Sequence, residues 1–262
     1  METKFIFFDI DGTLFNEKTY TVPTSTKKAI QLAQANGHKC FINTGRPISS
    51  IDRVVTDIPF DGYICGCGTY IQYNNQEIFH HQLTQSVRQN VIQSSVQYHI
   101  DTVLEGKNAV YFPKVIYHPF VKAIQDRYLN EGFPIYEYSQ EDCVEFDKFA
   151  SWYTDVSDID TFRKSICHDF DIIQRDIDFI EVVPHHLSKA SGIQLIIDYL
   201  HNTIDNTISI GDSTNDLPML TYTKESVAMG NSNPILFDYV TYITTDINND
   251  GIYHALKHFK LI

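Results

Sequence analysis

Positive charge is scarce in this chain. Its 262 residues hold 20 Lys and Arg against 33 Asp and Glu, a formal net charge of −13. Such a surplus repels nucleic acid and anionic membranes unless a local basic cluster intervenes, and the sequence contains none. An anionic substrate would have to be drawn in by a metal, a few local cations or backbone amides. Cysteine is sparse and odd in number: Cys40, Cys65, Cys67, Cys143 and Cys167 are scattered over the chain, which argues against a disulfide scaffold and for a reducing compartment. Only Cys65 and Cys67 are close, at a spacing that suits neither a zinc ribbon nor a thioredoxin site, so they are expected as buried thiols in a strand. No apolar run approaches the roughly 20 residues of a membrane helix, and the N-terminal segment lacks the pattern of a signal peptide. The expectation is a cytoplasmic protein with neither a membrane nor a nucleic-acid partner; the sequence leaves its oligomeric state open.

What the chain does have is core material. Hydrophobic residues make up 43% and aromatics 13%, with only 12 Gly and 9 Pro, so it is neither collagenous nor disordered. Lys4 to Phe8 is a short apolar run ending in acidic residues and glycine, as in a strand buried on both faces of a parallel sheet. Thr24 or Ser25 can cap a helix that Gly37 ends, and a strand follows near Lys39 to Ile42. Pro47 suits the first turn of a helix running to about Val55, before a strand at Gly62 to Cys65. Thr69 to Phe79 alternates around Asn74-Asn75 like a β-hairpin. From Leu83 to Pro184, runs of strands with a few helices replace the strand-helix alternation, which resumes with a helix from Lys189 and a strand at Thr207 to Ile210. This predicts an α/β fold: a doubly wound, mostly parallel sheet from residues 1–82 and 185–262, with an α+β domain at 83–184 inserted into it.

In an open α/β sheet, ligands sit beyond the carboxyl ends of the strands. Three polar clusters fall there: Asp9-Ile10-Asp11-Gly12-Thr13, Asn43-Thr44-Gly45-Arg46 and Gly211-Asp212-Ser213-Thr214-Asn215-Asp216. Carboxylates converging from separate strands cannot all stay ionised cheaply without a cation, and an oxygen-lined site with open positions suits Mg²⁺. His80-His81, His185-His186, His254 and His258 have no accompanying carboxylate or cysteine pattern, so surface or packing roles are expected of them.

Phe7-Phe8-Asp9-Ile10-Asp11-Gly12-Thr13-Leu14 resembles the first motif of haloacid dehalogenase-type phosphatases. The second, third and fourth motifs follow in order at Thr44, Lys189 and Gly211 to Asp216. With Val227-Ala228-Met229-Gly230-Asn231 near the end, the whole chain resembles the Cof-like branch, whose larger type IIB cap enters between motifs two and three. The resemblance implies a Mg²⁺-dependent phosphatase acting on small organic phosphate monoesters, sugar phosphates or phosphorylated cofactors, through an aspartyl-phosphate. It implies that Asp9 is the nucleophile and Asp11 the acid and base. Asp9, the Asp11 carbonyl and Asp212 would hold the metal. Lys189, Thr44, the Ile10 and Gly45 amides and Asn215 would contact phosphate. Asp216 would order the fourth loop, Gly12 and Thr13 would shape the first turn, and Arg46 would support the second motif or reach the substrate. The inserted domain is expected to close over the substrate. Rival readings are a phosphotransferase or phosphomutase with the same covalent intermediate, and a phosphate-ligand sensor without turnover.

Overall fold

The structure, a computed structural model, describes residues 2–262. The chain opens with β1 (Phe5–Phe8), α1 (Thr24–Ala35), β2 (Lys39–Asn43), the one-turn α2 (Arg53–Thr56), β3 (Gly62–Cys65), β4 (Tyr70–Tyr73) and β5 (Gln76–His80). It continues through α3 (Gln85–Gln97), β6 (Asp101–Glu105), β7 (Val110–Pro113), α4 (Pro119–Glu131), β8 (Ile135–Tyr138), β9 (Lys148–Trp152), α5 (Ile159–Ile166), β10 (Phe170–Asp176) and β11 (Phe179–Pro184). It ends with α6 (Lys189–Tyr199), β12 (Thr207–Gly211), α7 (Leu217–Tyr222), β13 (Glu225–Ala228), β14 (Tyr242–Ile243) and α8 (Gly251–His258).

Two units result, one from Met1–Gly45, Ile51–Phe79 and Ser188–Ile262, the other from Arg46–Ser50 and His80–Leu187. The first carries an eight-stranded sheet in the order β14-β13-β12-β1-β2-β3-β4-β5. From β14 to β3 its neighbours are parallel, and β4 turns back antiparallel on β3. All four residues of β1 are buried, as a central strand covered by helices on both faces requires. The strand order reverses at β1, which pairs with β12 on one side and β2 on the other, and that is where an open sheet leaves a crevice. Asn74 and Asn75 both take positive φ, 47° and 62°, as the two central residues of a tight hairpin turn do.

The second unit has six strands in the order β10-β11-β9-β6-β7-β8. They pair antiparallel except β7 with β8, which run parallel across the α4 crossover. Every residue of β9 is buried: Phe149 joins the cluster with Phe162 and Phe170, while Ala150 and Trp152 join the one with Val103 and Phe112 on the opposite face.

Several local expectations need correction. The helix expected from Pro47 is a single 3₁₀ turn, Ile48–Ser50, and α2 starts only at Arg53. The Pro47 carbonyl accepts from the Ser50 amide at 3.0 Å, and Ser49 Oγ donates to the Gly106 carbonyl at 2.7 Å, so this segment packs with the second unit and not with the core expected from residues 1–82. Pro23, not Thr24 or Ser25, is the N-cap of α1, and no side chain caps it. Cys65 is in β3, but Cys67 lies in the following 3₁₀ turn with φ 55°. Pro234–Asp238 forms a 3₁₀ helix.

Candidate active site

β1 and β12 run side by side in register, Phe8 opposite Ile210, so the residues that follow them, Asp9 and Asp212, emerge at neighbouring strand ends. The Asp9 amide donates to the Ile210 carbonyl at 3.0 Å, continuing the ladder. The chain then folds tightly: the Ile10 carbonyl accepts from the amides of Thr13, Leu14 and Phe15 at 3.2, 2.9 and 2.8 Å. Gly12, with φ +73°, is needed twice over, because an added Cβ would stand 2.3 Å from Asp212 Oδ2. The Thr13 hydroxyl, expected to fix its own turn, instead donates to Asp212 Oδ1 at 3.2 Å and ties the first loop to the fourth.

Lys189 is the first residue of α6, held there by a reciprocal capping box between Ser188 and Ser191. Its side chain is 1% exposed, and Nζ donates to Asp9 Oδ1 at 2.5 Å and to Asp216 Oδ1 at 2.6 Å. The other oxygen of Asp216 accepts from the Asp212 and Ser213 amides at 2.9 and 3.0 Å. Both Asp216 oxygens are thus committed to the lysine and to the loop that carries Asp212. Gly211 makes room for this, since a Cβ there would lie 2.5 Å from the Asp216 carboxyl. Asn215 is held within the same loop by the Ser213 hydroxyl.

Asp9, Asp212 and Asp216 each bring one oxygen within 4.8 Å of the others, the one such metal-binding group found among the described residues. Burial first, then the charges of Asp216, Asp212 and Asp11, push the Asp9 carboxyl well above the usual carboxylate range against the pull of Lys189. Burial and Asp216 push Asp212 up to about 7. Burial works against the Lys189 ammonium, but the Asp216 and Asp9 carboxylates outweigh it and hold it above the usual lysine range. One ammonium among this many carboxylates leaves negative charge uncompensated, and the donors are hard oxygens. The residues therefore fit a small divalent cation such as Mg²⁺.

Thr44, 1% exposed, follows β2 at the adjacent strand end; its amide donates to the Ile64 carbonyl and its carbonyl accepts from the Cys67 amide. The contacts above join Asp9, Gly12, Thr13, Lys189, Asp212 and Asp216, while Ile10, Asp11, Thr44, Gly45 and Asn215 belong to the same first unit. Arg46 belongs to the second, where its NH1 donates to the Ser50 carbonyl at 3.2 Å and its charge acts on Glu105. The histidines are elsewhere: His80 pairs with Asp147, His185 with Asp171, and His258 stacks on Tyr242. Asn43, named in the second polar cluster but given no role of its own there, donates its buried amide to the Lys189 carbonyl at 2.9 Å and anchors the start of α6 to the sheet. Its only signal is its place at the end of β2.

A family model of haloacid dehalogenase-like hydrolases matches residues 6–256. The Bacillus subtilis protein YkrA is 28% identical over 271 residues, covering 100% of both chains. The 5-amino-6-(5-phospho-D-ribitylamino)uracil phosphatase YcsE of the same organism is 26% identical, covering 100% of this chain and 97% of its own. Among solved structures, that of the HAD subclass IIB sugar phosphatase BT4131 is 28% identical, with a TM-score of 0.84 over 99% of this chain and 100% of the other. With its motifs carried on this fold, the chain belongs to the haloacid dehalogenase-like hydrolases, in their Cof-like branch.

Proposed function

We propose that this phosphatase hydrolyses small organic phosphate monoesters through covalent phosphorylation of Asp9, with Mg²⁺ as its metal. The observation that carries the reading is the sharing of one buried ammonium, that of Lys189, by Asp9 and Asp216 at the end of two parallel strands, with Asp212 alongside. Asp9 Oδ attacks phosphorus as the ester P–O bond breaks, and Asp11 gives its proton to the departing alkoxide. Water then attacks the phosphorus of the aspartyl-phosphate as its P–O bond to Asp9 breaks and phosphate leaves, while Asp11 takes up the water's proton, so one residue serves both halves of the reaction. Asp216 keeps Lys189 in place, and Lys189 offsets charge on the attacking carboxylate and the transferring oxygens, with the Thr44 hydroxyl and the Ile10 and Gly45 amides donating to the same oxygens. Asp9, the Asp11 carbonyl and Asp212 would hold Mg²⁺, which when bound would supply the remaining positive charge that lets an anion approach a carboxylate. Asn215 contributes a further phosphate contact.

The substrate class follows from the relatives, a sugar phosphatase and a phosphatase of a phosphorylated ribityl compound. We place substrate choice in the second unit, which the phosphate chemistry does not need. The test is release of inorganic phosphate from a panel of sugar phosphates and phosphorylated cofactors, with and without Mg²⁺ and without any acceptor. Release that needs Mg²⁺ supports the reading. Transfer only in the presence of an acceptor sugar would instead identify a phosphotransferase.

A further inference from the structure

Gly230 and Asn231 close the last sequence motif, yet none of the chemistry above uses them. The Asn231 side chain joins two loops: Nδ2 donates to the Gly12 carbonyl at 2.8 Å, and Oδ1 accepts from the Ile247 amide at 2.9 Å. Its backbone is fixed beside it, because the Gly230 amide donates to the Thr245 carbonyl at 3.1 Å and a Cβ on Gly230 would stand 2.5 Å from the Asp246 nitrogen. Two further ties bind the same stretch of chain to the site. The Asn233 amide donates to the Asp212 carbonyl at 2.9 Å, and Asn16 Nδ2 donates to Asn248 Oδ1 at 2.7 Å. Gly12, Asp212, Asn231 and Asn248 line one cavity of about 260 Å³.

We propose that Asn231 is a positioning residue that fixes the Gly12 peptide and, through it, the direction of the Asp11 carbonyl; this rests on the reading of Asp11 given above. The Asp11 carbonyl and the Gly12 N–H belong to one planar peptide group, so turning one turns the other. The Gly12 N–H donates to the Phe15 carbonyl at 3.0 Å, which sets that plane only if Gly12 keeps its φ of +73°. Glycine has no side chain to hold it there and visits both signs of φ readily. Asn231 grips the far side of the residue, at its carbonyl, so both ends of Gly12 are bonded and the turn has one conformation. A residue 219 positions away in sequence thereby orients a proposed metal ligand it does not touch. Partners of this kind, one bond removed from the ion, change metal affinity by about 10–100-fold when lost.

The test is calorimetric titration of Mg²⁺ into the wild type, Asn231→Ala and Asn231→Asp, with urea unfolding of each metal-free protein alongside. The Asp variant keeps an acceptor for the Ile247 amide and loses the donor to Gly12, while its added negative charge alone would tighten cation binding. Both variants should bind Mg²⁺ about tenfold or more weakly, with metal-free unfolding midpoints close to wild type. Unchanged or tighter binding in Asn231→Asp overturns the proposal, as does a loss of affinity matched by general destabilisation in both variants. If the wild type binds Mg²⁺ but releases phosphate from no ester, the proposed function fails and the affinities still decide the role of Asn231. A wild type that binds no Mg²⁺ overturns both.

Discussion

Lys189 sits between two carboxylates, each within 2.6 Å of its nitrogen, and almost wholly out of water. Taking one partner from a buried ion pair leaves uncompensated charge in a low-dielectric site. Lys189→Met should therefore destabilise the metal-free protein by about 3–5 kcal/mol, read from urea unfolding, and abolish turnover. An unfolding midpoint unchanged from wild type would show that the pair carries no such strain. Asp9→Asn has the opposite sign for stability, because it removes one of the crowded charges while keeping nearly the same shape. Its metal-free form should melt no lower than wild type, and its turnover should fall by about a thousandfold or more, as expected when a nucleophile is lost. Near-normal phosphate release by this variant would remove Asp9 from the nucleophile's role.

The elements contribute by ending in the right place. β1 and β12 deliver Asp9 and Asp212 to the carboxyl ends of neighbouring central strands, and α6 begins where Lys189 can reach both loops. Gly211 and Gly12 are the points at which the loops come too close for a side chain. Gly211→Ala would drive a methyl into the Asp216 carboxyl, at an overpacking cost of about 1–3 kcal/mol, and should loosen Lys189 with it. A lowered melting temperature together with weakened Mg²⁺ binding is the expected result, while a variant with wild-type melting and affinity would deny that contact any importance. The apolar runs of β1, β2 and β12 and the polar turns behind them were legible in the sequence because both are local patterns. The ties that join them were not: Thr13 to Asp212, Asn43 to Lys189 and Asn231 to Gly12 span 199, 146 and 219 positions, and no window along the chain contains both partners. β8 carries little signal in the sequence, since three of its four residues are exposed or only partly buried. The turn after Pro47 failed as a helix because its polar groups bond across to Gly106 and back to Arg46 instead of along a helix.

At the scale of the molecule, the net charge of −13 and a carboxylate-rich site act in the same direction, against an anionic substrate. They also set a pH dependence. A carboxyl raised from 3.8 to about 7 on folding, as at Asp212, means that the folded chain holds this proton more tightly than the unfolded one. The stability it contributes is complete below about pH 4 and is lost as pH rises through about 7. Asp9, raised in the same sense, adds to the slope. The melting temperature in EDTA, as far as these groups determine it, should therefore fall between about pH 5 and about pH 8, and saturating Mg²⁺, the proposed metal, should flatten or reverse that fall by favouring the ionised forms. A metal-free protein whose melting point climbs over this range would contradict the assignment of crowded, cation-seeking carboxylates.

Covalent phosphorylation of Asp9, as proposed, can be read directly. The enzyme is mixed with a hydrolysable phosphate ester and Mg²⁺, quenched in acid within the first turnovers, digested and analysed by mass spectrometry. One added phosphoryl group is expected on the peptide containing Asp9, absent from the Asp9→Asn variant and absent without Mg²⁺. A phosphoryl group on another residue, or one that persists on the same peptide in the Asp9→Asn variant, would contradict it.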